Sequence, residues 1–195
     1  MITTRLFGHS FRSLAKGLAA CALIFGLTAC ASNSGEQRSY VAKGASFSQM
    51  MVAIVPFENL TNYPNAGRIA AELMATELYK RAPFALQEET ETRRALAQLQ
   101  IDPDNLTSVA AAKQAAGLLE VDGLLIGSVS EFGYQQGLRE EPVVGLNARL
   151  IDGKTGKVLW ASSHSALGGG YLQRGSLNAT AQEVISAMAD TLSSR

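Results

Sequence analysis

The N-terminal segment constrains the fold most, because it decides which residues remain to build it. Three basic residues, Arg5, Arg12 and Lys16, precede an apolar run at Leu18–Leu27. A basic region, a short apolar region and small residues at a cleavage point are typical of an export signal. A membrane-spanning helix would need about 20 apolar residues, roughly twice the length of this run. We therefore expect residues 1–29 to be a signal peptide that is removed.

The cysteine after the cleavage point predicts a lipid anchor. The sequence Leu27-Thr28-Ala29-Cys30 resembles the lipobox of bacterial lipoprotein signals, in which the cysteine is acylated and becomes the new N-terminus. Acyl chains stabilise membrane attachment by about 0.8 kcal/mol for each buried methylene. Ala31 stands where the sorting rule of such lipoproteins has aspartate for retention in the inner membrane. We therefore expect a palmitate-bearing protein, lipid-anchored at the periplasmic face of the outer membrane.

The composition after the signal excludes several kinds of active site. Three of the 17 basic residues and none of the 17 acidic ones lie in the signal, so the remainder is net acidic at −3, unlike most nucleic-acid-binding domains. His164 is the only histidine left, and Cys30, the only cysteine left, is acylated. This inventory excludes a histidine-based metal cluster, a cysteine–histidine catalytic pair and a disulfide framework. We expect no enzyme activity and no cofactor.

Residues 30–47 are predicted to form a flexible, lipidated tether. The segment is rich in serine, glycine and glutamine, and it contains no proline. As a random coil of roughly 17 residues it reaches only about 20–25 Å. The single domain that follows, residues 48–195, is therefore expected to lie close to its membrane.

The remaining pattern predicts an α/β domain with a mixed sheet and helices packed on it. Met50–Phe57 and Val121–Val129 are continuous apolar runs, typical of buried strands. Pro142–Ile151 alternates between apolar and polar residues, and Asp152–Gly156 has the composition of a hairpin turn, so Lys157–Ala166 is predicted to be the return strand. Helical periodicity and capping residues predict four helices. The first covers Ala66–Arg81, the second runs from Thr90 to Asp102, the third ends at Ala116 and the last extends to Leu192. With a short strand at Phe84–Leu86, the predicted order of elements is βαβααβββα.

Two polar motifs are interpreted as structural. Gly123 and Gly127 lack the Lys-Ser/Thr of a phosphate-binding loop and are taken as strand glycines. Within Ser162–Ser165, neighbouring side chains point to opposite faces of a strand, so serine and histidine do not pair well there. The expectation is that His164 is a partly exposed strand residue.

Two aromatic positions are candidates for different roles. Trp160 lies in register with Val158 on the predicted return strand, which favours packing in the core. Tyr171 and Leu172 follow three glycines, so they belong to a loop that is poorly suited to a core. Such residues suit a membrane interface or a partner pocket, or they staple the loop to the last helix. We assign Tyr171 and Leu172 as candidate membrane-interface residues.

Three segments of the chain resemble a group of bacterial outer-membrane lipoproteins that includes CsgG, LpoB and PelC. They are Val52–Thr61, Val121–Val129 and Ala148–Trp160, and the resemblance covers most of Met50–Arg195. CsgG-type members carry long barrel-forming segments for which this chain has no room, and the LpoB-type activators have a long, proline-rich tether. The chain is most like the PelC-type members, which are compact, form a ring under the outer membrane and present an aromatic residue to it. The resemblance places that aromatic at Tyr171.

The resemblance implies a non-enzymatic outer-membrane lipoprotein that forms a homo-oligomeric ring and assists export of a Pel-type biofilm exopolysaccharide. The expected partners are the outer membrane, an export porin and an anionic or cationic polysaccharide, without nucleic acid. A net-acidic ring would concentrate or guide a cationic polymer. The alternative is an LpoB-like periplasmic activator that binds a peptidoglycan synthase, and a third alternative is an adhesin-like lipoprotein. The oligomeric mass separates the ring from the activator.

Overall fold

The computed structural model describes residues 34–106, 108–136, 140–169 and 175–193, all within one compact unit, Ser34–Arg195. The described strands are β1 (Ser34–Val41), β2 (Met51–Ile54), β3 (Glu58–Asn59), β4 (Ala85–Leu86), β5 (Gly123–Gln136), β6 (Glu140–Asp152) and β7 (Val158–Leu167). The described helices are α1 (Ala66–Arg81), α2 (Glu89–Gln98), α3 (Val109–Leu118) and α4 (Leu177–Ser193), with a short 3-10 turn at Pro103–Asn105.

All seven strands belong to one mixed sheet. The order is β1-β7-β6-β5-β2-β4, and β3 pairs with β5 beyond the end of β2. Strands β2, β3 and β4 run parallel to their neighbours, whereas β5, β6, β7 and β1 form an antiparallel meander. The predicted α/β class, the mixed sheet and the order βαβααβββα are confirmed, with β1 and β3 added.

Helices pack on both faces of the sheet. One core contains α1 and α4 and includes Val52, Ile54 and Trp160, and a second core contains residues of α2 and α3. Ala53 and Val55 point into that second core. Because β2 is buried on both faces, its sequence is a continuous apolar run rather than an alternating one.

The structure corrects the predicted tether. Ser34–Val41 is a strand at the edge of the sheet, antiparallel to β7, with Val41 opposite Trp160. Backbone hydrogen bonds hold an edge strand while its side chains can remain in water, so the polar composition gave no strand signal. Tyr40 is exposed, and among the side chains of β1 that the structure describes, Val41 packs against the core. The domain therefore begins at Ser34, and the prediction of a flexible segment up to residue 47 is wrong for this strand.

Candidate functional site

One end of the sheet brings together the start of the described chain and the C-terminal ends of β5 and β7. Ser34 pairs with Ala166, Ala166 with Val144, and Val144 with Phe132. These four residues form one row across β1, β7, β6 and β5. Cys30 is four residues before Ser34 and lies outside the described residues. The expected lipid anchor is therefore connected to the end of the sheet that also contains Phe132 and Ala166.

Two residues beyond this row lies the base of a loop, formed by Gly168, Gly169 and Gly175 and called the neck below. Tyr134 pairs with Pro142, whose carbonyl oxygen accepts a hydrogen bond of 2.7 Å from the Gly168 N–H. Gly175 packs against the same neck, because a Cβ built on it would lie 2.7 Å from the Gly168 carbonyl carbon. Gly169 and Gly175, the described residues on either side of positions 170–174, therefore lie close together. Tyr171 and Leu172 lie in that segment, outside the described residues.

Glycine is required at this neck for steric reasons. A Cβ on Gly168 would lie 1.8 Å from the Thr180 hydroxyl oxygen, so the strand end lies directly on α4. Gly169 has φ +112°, a conformation that side-chain-bearing residues rarely adopt. The first turn of α4 is fixed here too, since the Ser176 hydroxyl accepts a hydrogen bond of 3.1 Å from the Ala179 N–H. Gly168 and Gly169, which the sequence assigned to a loop, therefore lie in a closely packed base.

Aromatic residues missed by the sequence analysis gather at the same end. The rings of Tyr63 and Phe132 are 5.0 Å apart at 59°, in an open groove of about 450 Å³ that Tyr134 also lines. Leu60, Tyr63 and Tyr134 are 59%, 40% and 53% exposed, whereas Phe132 is buried. These residues come from the β3–α1 loop and from β5, about 70 positions apart. Only the pairing of β3 with β5 unites them.

The loop that carries Tyr63 is held by its own hydrogen bonds. The Asn59 side-chain oxygen accepts from the Thr61 N–H at 3.0 Å and from the Thr61 hydroxyl at 2.8 Å. The Asn59 amide donates to the Tyr63 carbonyl oxygen at 2.9 Å. These local bonds are typical of an Asx turn and fix the loop without a buried core of its own. The Tyr63 ring is therefore presented in a defined position.

Trp160 and His164 are core residues on the α4 side of β7. Trp160 is fully buried, and its indole N–H donates a hydrogen bond of 2.8 Å to the Thr191 hydroxyl of α4. This confirms the predicted core role of Trp160. His164 is also buried, so the expectation of partial exposure is wrong. Residues 160, 162 and 164 share one face of a strand, and burial lowers the pKa of the His164 imidazole.

The described residues contain no group of three or more histidine, cysteine, aspartate or glutamate side chains that could hold a metal ion. None of the described helices has both the length and the apolar character needed to cross a membrane.

Glu88 has a structural role at the start of α2, where its carboxylate accepts a hydrogen bond from the Glu91 N–H. Hydrogen bonds from Thr90 hold the pKa of Glu88 below its usual value.

A second open surface lies on the sheet face opposite α4. Arg38 and Tyr40 of β1, Asn147 and Arg149 of β6, and Ser163 of β7 line a groove of about 450 Å³. Arg38, Ser163 and Asn147 occupy one row of paired residues across three strands. This groove is polar and carries two guanidinium groups, whereas the surface around Tyr63 and Tyr134 is aromatic. The two surfaces therefore suit different kinds of contact.

Comparison with known proteins identifies similar folds. No protein-family model matches the sequence, and no curated protein matches it significantly. A PelC dodecamer from Paraburkholderia phytofirmans matches with a TM-score of 0.60 and 24% identity, over 83% of this chain and 99% of PelC. Lipoprotein GNA1162 from Neisseria meningitidis matches with a TM-score of 0.58 and 21% identity, over 75% of this chain and 99% of its own.

A third solved structure, the LpoB C-terminal domain from Salmonella enterica, matches with a TM-score of 0.47 and 18% identity, over 63% of this chain and 86% of its own. PelC belongs to the group that the sequence segments resemble, so its match confirms the predicted resemblance at the level of the fold. At these identities the likeness concerns architecture alone. The chain has the α/β fold found in the PelC and GNA1162 lipoproteins.

Proposed function

We propose that the chain is a non-enzymatic outer-membrane lipoprotein that assembles into a ring and assists export of an exopolysaccharide. The observation that carries the proposal is the likeness to PelC, which covers nearly the whole PelC chain and includes a dodecamer. A ring of identical subunits closes through head-to-tail contacts around one axis. In this role the chain supplies a shaped, charged passage rather than chemistry, and an export porin and the polymer are its partners.

The position of Ser34, where β1 begins, supports a lipid anchor close to the domain. Only three residues, Ala31–Asn33, separate Cys30 from β1. The domain is therefore expected to remain against the leaflet that holds the acyl chains. The same shortness argues against the LpoB-like alternative, because the activators in that group reach across the periplasm on a long tether. The described residues offer no feature that favours the activator.

The neck at Gly168 and Gly175 supports a membrane-interface role for Tyr171 and Leu172. The neck lies two residues beyond Ala166, the partner of Ser34, and therefore at the end of the sheet where the described chain begins. A Tyr171→Ser variant is expected to keep its thermal midpoint and to lose polymer export. A collapse of the midpoint would instead assign Tyr171 to the core, since truncating a buried aromatic costs about 3–5 kcal/mol. A variant with normal midpoint and normal export would remove Tyr171 from the site.

Two measurements on the full-length protein test the proposal. Cell fractionation of the Cys30→Ala variant is expected to release a folded protein from the outer membrane, because the acyl chains are the main anchor. Mass measurement of the lipidated protein in mild detergent is expected to give one large, discrete oligomer. A monomer would contradict the ring, and unchanged sedimentation of Cys30→Ala with the outer membrane would contradict the lipid anchor.

A further inference from the structure

We propose that Leu60, Tyr63 and Tyr134 form an interfacial patch that contacts the lipid headgroup region of the bilayer in which Cys30 is anchored. The inference rests on the proposed lipid anchor and adds a contact surface made of described side chains. These are three of the large hydrophobic residues that the domain exposes. Tyr134 lies on β5 beyond the row that contains Ser34, Tyr63 packs on Phe132 of that row, and Leu60 belongs to the same loop as Tyr63. Exposed aromatic clusters of this kind mark contact sites more often than they mark random surface.

The length of chain between the anchor and the sheet limits how far this end can be from the bilayer. Ser34 is four positions after Cys30, and an extended chain spans at most about 3.3–3.6 Å per residue. Ser34 is therefore held within roughly 14 Å of the acylated cysteine. Phe132 lies in the same row as Ser34, and Tyr134 is two residues further out, about 7 Å along β5. The Tyr134 ring thus reaches toward the membrane from the row that the anchor holds near it.

The chemistry of the patch fits the headgroup layer rather than the hydrocarbon core. Tyrosine places an apolar ring and a polar hydroxyl at the membrane–water interface, where it is enriched in membrane proteins. The Tyr63 ring rests on buried Phe132, and its loop is fixed by Asn59, so little side-chain freedom is lost on contact. Glu131 also lines the groove, and a carboxylate is expensive to bury in hydrocarbon. We therefore infer shallow contact with a zwitterionic surface.

The test uses tryptophan as a depth-sensitive reporter in the full-length, lipidated protein. Tyr134→Trp places an indole in the patch and keeps the site aromatic. Tyr79→Trp is the matched control, because Tyr79 is 60% exposed and lies on α1, 13 residues after Ala66 and therefore about 20 Å along the helix from the patch end. The wild type supplies the background of buried Trp160. All three proteins are reconstituted into phosphatidylcholine vesicles whose acyl chains are brominated close to the headgroup.

The expected result is loss of the added emission, with a shift to shorter wavelength, for Tyr134→Trp but not for Tyr79→Trp. Equal emission from both variants in brominated and ordinary vesicles would overturn the proposal, and so would stronger quenching of Tyr79→Trp. Flotation of the vesicles separates this outcome from failure of the anchor. If all proteins float with the lipid and Tyr134→Trp is not quenched, the anchor stands and the patch faces something other than lipid.

Discussion

Substitution of Gly175 by alanine tests whether the base of the Gly170–Arg174 segment is as closely packed as the structure indicates. The new Cβ would lie 2.7 Å from the Gly168 carbonyl carbon, 2.8 Å from the Gly169 nitrogen and 3.0 Å from the Gly168 oxygen, whereas ordinary contact begins at 3.4 Å. All three atoms belong to the backbone, so no side chain can rotate away. The neck must open, or the start of α4 must move.

The expected cost follows from what the neck holds in place. Overpacking of a well-packed region costs about 1–3 kcal/mol. Opening the neck also strains the hydrogen bond between the Gly168 N–H and the Pro142 oxygen, which is worth about 0.5–1.5 kcal/mol. We therefore expect the free energy of unfolding to fall by about 2–4 kcal/mol. For a domain of this size that lowers the thermal midpoint by roughly 2–4 °C for each kcal/mol.

Thermal and urea unfolding of the full-length protein measure the effect, with Gly133→Ala as the matched control. Gly133 lies on β5 at the same end of the sheet, and a Cβ built on it meets nothing within 4 Å. Its replacement is expected to change stability by less than about 1 kcal/mol. Equal midpoints for Gly175→Ala and the wild type would refute the close packing of the neck. An equal loss in both variants would show that any Cβ at this end is harmful, and that the neck is not special.

Three further predictions concern the core. Trp160→Ala is expected to lower the free energy of unfolding in urea by about 3–5 kcal/mol. Thr191→Val is expected to lower it by about 1–3 kcal/mol, because the buried indole N–H loses its acceptor. An unaffected Trp160→Ala variant would mean that the indole is not in the core. Because the pKa of His164 is lowered in the folded protein, the unfolded chain takes up the proton at a higher pH than the folded one. The contribution of His164 to stability is therefore complete above the usual histidine pKa of 6.5 and declines as the pH falls below it. The decline is at most about 1.4 kcal/mol per pH unit. Midpoints measured between pH 8 and about pH 5 should therefore fall less in His164→Leu than in the wild type, and parallel profiles for the two proteins would contradict this.

The sequence predicted secondary structure correctly where burial imposes a strong pattern of apolar residues. The apolar run at Met50–Phe57 correctly predicted a buried strand, because Val52 and Ala53 point into different cores and no position is left for a polar residue. The hairpin of β6 and β7 followed from alternation and from a turn whose Asp152 carboxylate accepts hydrogen bonds from Lys154 and Thr155. Local chemistry and burial agree in these elements.

The sequence was insufficient where long-range pairing or backbone bonds decide the structure. β1 is held chiefly by its ladder to β7, and its side chains carry no strand pattern. His164 would have been placed correctly if the alternation from Trp160 had been followed along β7. Tyr63 and Phe132 become neighbours only when β3 adds to β5, a register that no local signal specifies. The aromatic half of the candidate site could therefore not be found before the fold.

The pairing of β1 with β7 also has a mechanical consequence. If Cys30 is fixed in a bilayer and the domain is pulled away along the direction of its strands, the force reaches the sheet at Ser34 and acts along β1. The antiparallel ladder from Ser34 to Val41, continued by the bond from the Ala42 N–H to the Leu159 oxygen, lies across that force. The bonds are then loaded together in shear instead of breaking one after another from an end. An edge strand with few apolar contacts is thereby suited to carry tension between a membrane and the polymer or partner that pulls on the domain.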